Sequence, residues 1–182
     1  MNDKLTNIIK DAQEGKEKAL ISLFTMYSKN MFNVCIRLTG NQNDAEDILQ
    51  DCFMIAFTKI KSLKNPDHFG GWLKKIVIRE SLRFCKTRML FEEIEEHQDS
   101  SYLDDDIHWW LDISLQDIHN AIKTLPEGCR IVFVLYALED YSHKEVAHAL
   151  EISEGTSKSQ YYRARTILQE KIVKKAQANG RF

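Results

Sequence analysis

Four side chains near the C-terminus, Lys158, Ser159, Tyr162 and Arg163, supply charged donors, a hydroxyl and an aromatic surface. Donors of this kind, set along one helix, read base edges in a DNA major groove. A second set, Lys75, Arg79, Arg83 and Lys86, recurs at three- and four-residue steps and lines one side of a helix with cations suited to phosphates. A third, Asp44, Asp47, Gln50 and Asp51, gathers polar and acidic groups on one helix face. None of this is bond-making chemistry. The chain has no glycine-rich phosphate loop, no G-x-S-x-G elbow and no metal-ligand spacing among its 6 histidines and 4 cysteines. Asp47 and Asp51 are one turn apart on an open face, where a carboxylate pair is simply solvated. No catalytic residue, no metal and no cofactor is expected.

Helices must position these sets. A short polar helix is expected up to about Lys16. A longer one from about Glu17 to Leu38 carries Leu20, Leu23, Phe24, Tyr27, Met31, Val34, Cys35 and Leu38 at helical spacing, with Gly40 as its stop. Asn43 is read as the cap of the next helix, with Glu46 reaching back to it. That helix has an apolar stripe of Ile48, Leu49, Cys52, Phe53, Ala56, Phe57 and Ile60, opposite the acidic face. The loop Lys61 to Asp67 contains Pro66, which pushes Asn65 towards an extended backbone. The following helix starts near His68 and is expected to bury Phe69, Trp72, Leu73, Ile76 and Val77.

Charge divides the chain. Residues 1–90 carry 15 basic and 10 acidic side chains, residues 91–112 carry 9 acidic and no basic ones, and residues 113–182 carry 10 basic and 8 acidic. Like charges at that density repel, so 91–112 reads as an extended or disordered, flexible acidic linker between two helical domains, 1–90 and 113–182. Within the linker, His108-Trp109-Trp110-Leu111 either docks onto a partner or begins the next helix. The N-terminus lacks the apolar segment of a secretory signal, and no apolar run approaches the roughly 20 residues of a membrane helix. A cytoplasmic protein without membrane insertion is expected, its cysteines acting as buried reduced thiols.

In the second domain, Leu115, Ile118, Ile122 and Leu125 share a face before Pro126, and Ile131, Val134, Leu135 and Leu138 mark the next helix. Ser142 and Glu145 form a capping box that opens a short helix with Val146, Ala147 and Leu150 facing inwards. Glu151-Ile152 turns the chain, and Ser153 caps a longer helix. There Ser157, Tyr161, Ala164 and Leu168 face the core, while Lys158, Ser159, Tyr162, Arg163 and Thr166 face out. The layout is a helix-turn-helix with a donor-rich second helix. The fold class is all-α: two small helical domains joined by an acidic linker, the C-terminal one a helix-turn-helix.

The phrases Leu38-Thr39-Gly40-Asn41, Asp44-Ala45-Glu46-Asp47-Ile48-Leu49-Gln50-Asp51 and Phe69-Gly70-Gly71-Trp72-Leu73 resemble the N-terminal domain of extracytoplasmic-function sigma factors. Leu125-Pro126-Glu127, the stretch from Tyr141 to Ala147, Ile152 to Ser159 and Arg163-Ala164-Arg165 resemble their C-terminal domain. The resemblance implies that 1–90 is a region 2-like domain and 113–182 a region 4-like one. It implies that Asp44, Asp47, Gln50 and Asp51 bind the clamp helices of core RNA polymerase. Lys64, Asn65 and His68 in the loop, with Trp72 after it, would capture a flipped base of the minus-ten element. Lys75, Arg79 and Arg83 would hold phosphates of the opened strands. Lys158, Ser159, Tyr162 and Arg163 would read the minus-thirty-five element of promoter DNA, and the linker would thread the polymerase channel. Many family members are held inactive by an anti-sigma factor; such a partner is implied by the resemblance and by no residue here.

This chain departs from the family pattern in three places. Glu151 stands where glycine is common, and a non-glycine residue with positive φ costs roughly 1 kcal/mol. Ser157 stands where valine is common, which is expected to loosen the core slightly. Gln160 replaces a common basic residue, so an altered DNA preference is expected. The competing reading is a stand-alone helix-turn-helix regulator that binds duplex DNA without polymerase. Such a regulator has no need of the acidic face at 44–51.

Overall fold

The computed structural model describes residues 3–89 and 120–178. The acidic stretch 91–112, with His108 to Leu111, and the apolar positions Leu115 and Ile118 lie outside the described residues. The chain divides into two compact units, residues 1–85 and 86–182. Among the described residues all regular structure is helical.

The first unit is built on α1 (Asp3–Gln13), α2 (Glu17–Thr39), α3 (Gln42–Lys59) and α4 (Phe69–Met89). The first helix is more than polar filler, since it fully buries Ile9 and nearly all of Ala12. Gly40 ends α2 in the left-handed conformation at φ 71°, with its N–H returning to the Ile36 carbonyl. That stop matches the sequence expectation, but the next cap does not. Asn41, not Asn43, caps α3: its side-chain oxygen accepts from the N–H groups of Asn43 at 2.9 Å and Asp44 at 3.2 Å. Because Gly40 has already reversed the chain, Asn41 sits in extended backbone and the helix restarts at once, two residues before the expected cap. Glu46 instead accepts from the Gln42 amide at 2.9 Å.

The expected stripe of α3 is the buried face, with Ile48, Leu49, Cys52, Phe53, Ala56 and Ile60 in the core and Phe57 half-buried. On α4, Phe69, Leu73, Ile76 and Val77 are buried, and Phe69 meets the Tyr27 ring of α2 at 5.1 Å. Trp72 is only half-buried, packing its ring 5.9 Å from that of Phe69. The expectation that Trp72 is a core residue is corrected to that extent. Three expected core positions of α2 also fall short: Phe24 is exposed, and Leu20 and Tyr27 are half-buried.

In the second unit, residues 120–123 are helical and bury Ala121 and Ile122. Then come α5 (Glu127–Leu138), α6 (His143–Leu150) and α7 (Glu154–Ala178). Residues 129–135 of α5 are all buried, so its apolar character runs round the whole helix. Even Arg130 is buried there, donating to the Leu125 carbonyl at 3.3 Å with Glu127 at 3.7 Å. The four cysteines are buried free thiols, as expected. Burial pushes Cys35 up to about 11 and Cys52 up to about 12, far from the thiolate form at neutral pH.

Candidate polymerase and nucleic-acid surfaces

On α3, Asp47, Gln50 and Asp51 are exposed and Asp44 is half-buried in the first turn. Acidic groups there also suit the positive end of the helix. One residue on this face escaped the sequence reading. Met54, three positions after Asp51 and seven after Asp47, is 70% exposed. Its signal was present in the chain, as an apolar residue in register with the acidic face instead of the buried stripe.

The loop after α3 is held from behind. Leu63 is buried, and the Gln13 amide donates to the carbonyls of Ile60 at 3.0 Å and Leu63 at 2.9 Å. Asn65 is extended, as Pro66 requires, at φ −118° and ψ 112°. Its side chain accepts from the Asp67 N–H at 3.0 Å and so caps a single 3-10 turn, Pro66–His68, that leads into α4. Lys64, Asn65 and His68 all remain exposed. The loop therefore presents its polar side chains from a fixed base. Gln13 was not legible as part of this site, because its partners lie 47 and 50 residues away.

Lys75, Arg79 and Arg83 share the exposed side of α4, but a carboxylate stands among them. Glu80 pairs with Arg79 at 3.1 Å and with Arg83 at 3.0 Å. The stripe is thus a pair of guanidinium groups oriented by one acid and not an unbroken run of cations. Exposed ion pairs contribute little to stability, so orientation is the larger effect. Between α3 and α4 lies a shallow groove of about 400 Å³, with Met54, Thr58 and Lys59 on one wall and Arg79, Glu80 and Arg83 on the other.

The helix-turn-helix has the caps and turn that the sequence predicts, while Leu150, expected to face inwards, is half-buried. The Glu145 N–H donates to the Ser142 hydroxyl at 3.3 Å, and the Ser142 N–H donates back to the Glu145 carboxylate at 2.8 Å. The Ser142 hydroxyl also donates to that carboxylate at 2.7 Å, and together with the Ser142 N–H it holds the Glu145 carboxyl below its usual range. Glu151 ends α6 at φ 59° and ψ 38°, the left-handed conformation foreseen for a glycine-like position. Ser153 accepts from the Thr156 N–H at 2.9 Å and starts α7. Ser157, Tyr161, Ala164 and Leu168 are buried. Tyr161 is fixed by Phe133 and Tyr136, with ring centroids at 6.0 and 4.7 Å, and burial pushes its hydroxyl up to about 12. On the outer side Arg163 is exposed, and Lys158, Ser159 and Tyr162 are half-exposed. Lys158 pairs with Glu154 at 3.2 Å, and the Ser159 hydroxyl donates to the Thr156 carbonyl at 3.0 Å.

Gln160 is half-buried, and its side-chain oxygen accepts from the Cys129 thiol at 2.8 Å, which engages it with α5.

Residues 23–90 match the family Sigma-70 region 2, and residues 115–168 match Sigma-70 region 4. Between them the two matches take in more than half of the chain. The ECF RNA polymerase sigma factor SigW of Bacillus subtilis is 24% identical over 185 aligned residues, covering 90% of this chain and 94% of the relative. The ECF RNA polymerase sigma-E factor of Haemophilus influenzae is 25% identical, covering 94% of this chain and 98% of the relative. The chain belongs to the sigma-70 family, in its extracytoplasmic-function group. Among solved structures, the sigma factor RpoE in complex with the anti-sigma factor NepR from Bartonella quintana is 23% identical with a TM-score of 0.51, over 85% of this chain and 97% of that one. That likeness bears on the fold. In this sigma factor, then, α3, the loop and α4 belong to region 2 and the helix-turn-helix to region 4.

Proposed function

We propose that this sigma factor engages core RNA polymerase through the outer face of α3 and promoter DNA through two separate surfaces, acting in the cytoplasm without catalysis of its own. The observation that carries the reading is the presence, in order on one chain, of a region 2 match and a region 4 match. Asp44, Asp47, Gln50 and Asp51 supply the charge for the polymerase contact, and Met54 supplies an apolar anchor beside them. Lys64, Asn65, His68 and Trp72 face a base taken out of the stack at the minus-ten element, where stacking and hydrogen bonding offset the unstacking cost. Lys75, Arg79 and Arg83 hold backbone phosphates. Lys158, Ser159, Tyr162 and Arg163 read the minus-thirty-five element from the major groove. An anti-sigma factor, the kind of partner bound to the Bartonella quintana sigma factor, is the regulatory partner proposed for this chain. In the described residues no helix is long and apolar enough to cross a membrane.

Run-off transcription tests the whole reading. Purified core polymerase and a genomic promoter library are incubated with and without the protein. New promoter-specific transcripts should appear only when it is added. Duplex binding by the protein alone, with no such transcripts, would favour the stand-alone regulator.

A further inference from the structure

Ser157 sits on the core side of α7 with none of its surface exposed. A buried hydroxyl without a partner is costly, so its environment decides whether it weakens or organises the core. Its oxygen lies 2.9 Å from Nδ1 of His143, the first residue of α6. That imidazole is itself held in place. It stacks on Tyr136 with ring centroids 4.0 Å apart and planes 12° apart, and meets Tyr161 edge-on at 5.8 Å. The preceding residue, Ser142, is fixed by the capping box. One end of the bond is therefore rigid, and the other is the residue immediately before Lys158 and Ser159.

We infer that the His143–Ser157 hydrogen bond is a latch that sets the position of the first turn of the recognition helix, and so of Lys158 and Ser159 against promoter bases. The rest of the helix has other anchors. Tyr161, Ala164 and Leu168 pack against the core and hold the turns that carry Tyr162 and Arg163. The first turn has no such aromatic anchor, because the core position there is a serine. His143 and Ser157 are positioning residues: they act through their neighbours and have no direct DNA contact in this assignment. Burial depresses the affinity of His143 for a proton, and nearby Lys158 adds to this while Glu154 opposes it. Neutral imidazole can then accept the serine hydroxyl at Nδ1, with the proton on Nε2.

The inference rests on the reading of α7 as the promoter-recognition helix, and the test separates the two. Threonine and valine have nearly the same shape, but only threonine keeps the hydroxyl. Full-length S157T and S157V are compared with wild type, with core polymerase, on a promoter recovered from the run-off screen. Single-base substitutions are made across its minus-thirty-five element. S157V should lose three- to tenfold in promoter affinity, and base discrimination should relax only at the positions nearest the start of α7. S157T should stay within about twofold of wild type. In parallel, nitrogen NMR of His143 in the full chain should show an Nδ1 that accepts a hydrogen bond in wild type and S157T and not in S157V. Equal behaviour of S157T and S157V, in affinity or in the NMR signature, overturns the latch. Relaxation spread evenly over all positions also overturns it, because that is the mark of a helix-turn-helix weakened as a whole. Failure of wild type to support promoter-specific transcription removes the recognition role and the latch's function with it, while the NMR result still shows whether the bond forms.

Discussion

At the level of single residues, the helix-turn-helix depends on a few polar atoms whose loss has a definite cost. Ser142 satisfies the Glu145 N–H and is in turn bound by the Glu145 side chain. Ser142→Ala should therefore destabilise the domain by about 1 kcal/mol, read as a shift in the denaturation midpoint. Ser142→Thr, which keeps the hydroxyl, should recover most of that loss. His143 gives the domain a pH dependence of known sign. Its folded-state pKa is lowered, first by burial and then by Lys158, so the unfolded chain takes up the proton more readily. Its contribution is fully present above the ordinary histidine range near pH 6.5 and fades as pH falls through it. Wild type should lose thermal stability between pH 7 and pH 5 more steeply than His143→Gln. Parallel curves would mean that His143 does not report on folding. Glu145 has a lowered pKa too, but its effect fades only in the more acidic carboxylate range.

Elements meet at places that separate glycines of similar appearance. Phe69-Gly70-Gly71-Trp72 opens α4 with two adjacent glycines. A Cβ at Gly70 would lie 3.1 Å from the Tyr27 ring, whereas one at Gly71 would meet nothing within 4 Å. Tyr27 is itself packed edge-on against Phe69 at 5.1 Å, and its ring would have to shift by a few tenths of an ångström to admit the Cβ. Gly70→Ala should cost about 1 kcal/mol through this crowding. Gly71→Ala should be neutral, or stabilising by up to about 1 kcal/mol through helix propensity. Thermal melts of the two variants decide the point, and equal shifts would sink it. The doublet was legible in the sequence, but nothing in it says which glycine faces another helix.

Across the molecule, neighbouring helices carry different charge patterns, which the proposed function assigns to different partners. The acidic face of α3 exposes Asp47 and Asp51, with exposed Met54 in register beside them. Asp47→Arg combined with Asp51→Arg should sharply reduce capture of core polymerase while far-UV helicity stays unchanged, since both side chains are exposed. Met54→Ala should also weaken capture, by several-fold, at unaltered salt dependence, because it removes apolar contact and no charge. If polymerase binding survives the double reversal, the assignment of this face is wrong.

Most of what is local could be read from the chain without its fold. Helix faces, the Gly40 stop, the extended Asn65 and the Ser142–Glu145 capping box all depend on residues within about one helical turn, where spacing and side-chain type suffice; the left-handed Glu151 was expected only through the family resemblance. The buried set Ser157, Tyr161, Ala164 and Leu168 follows from the same period. Even locally the reading slipped by two residues at Asn41, because two asparagines competed for one cap and only the backbone after Gly40 chose between them. Which faces met across long stretches of chain was settled by tertiary packing. It gave Gln13 two loop carbonyls as partners, engaged Gln160 with Cys129, and supplied Ser157 with His143. Each of these bonds joins separate elements. Helical periodicity says which way a side chain points, but not what the folded chain will place opposite it.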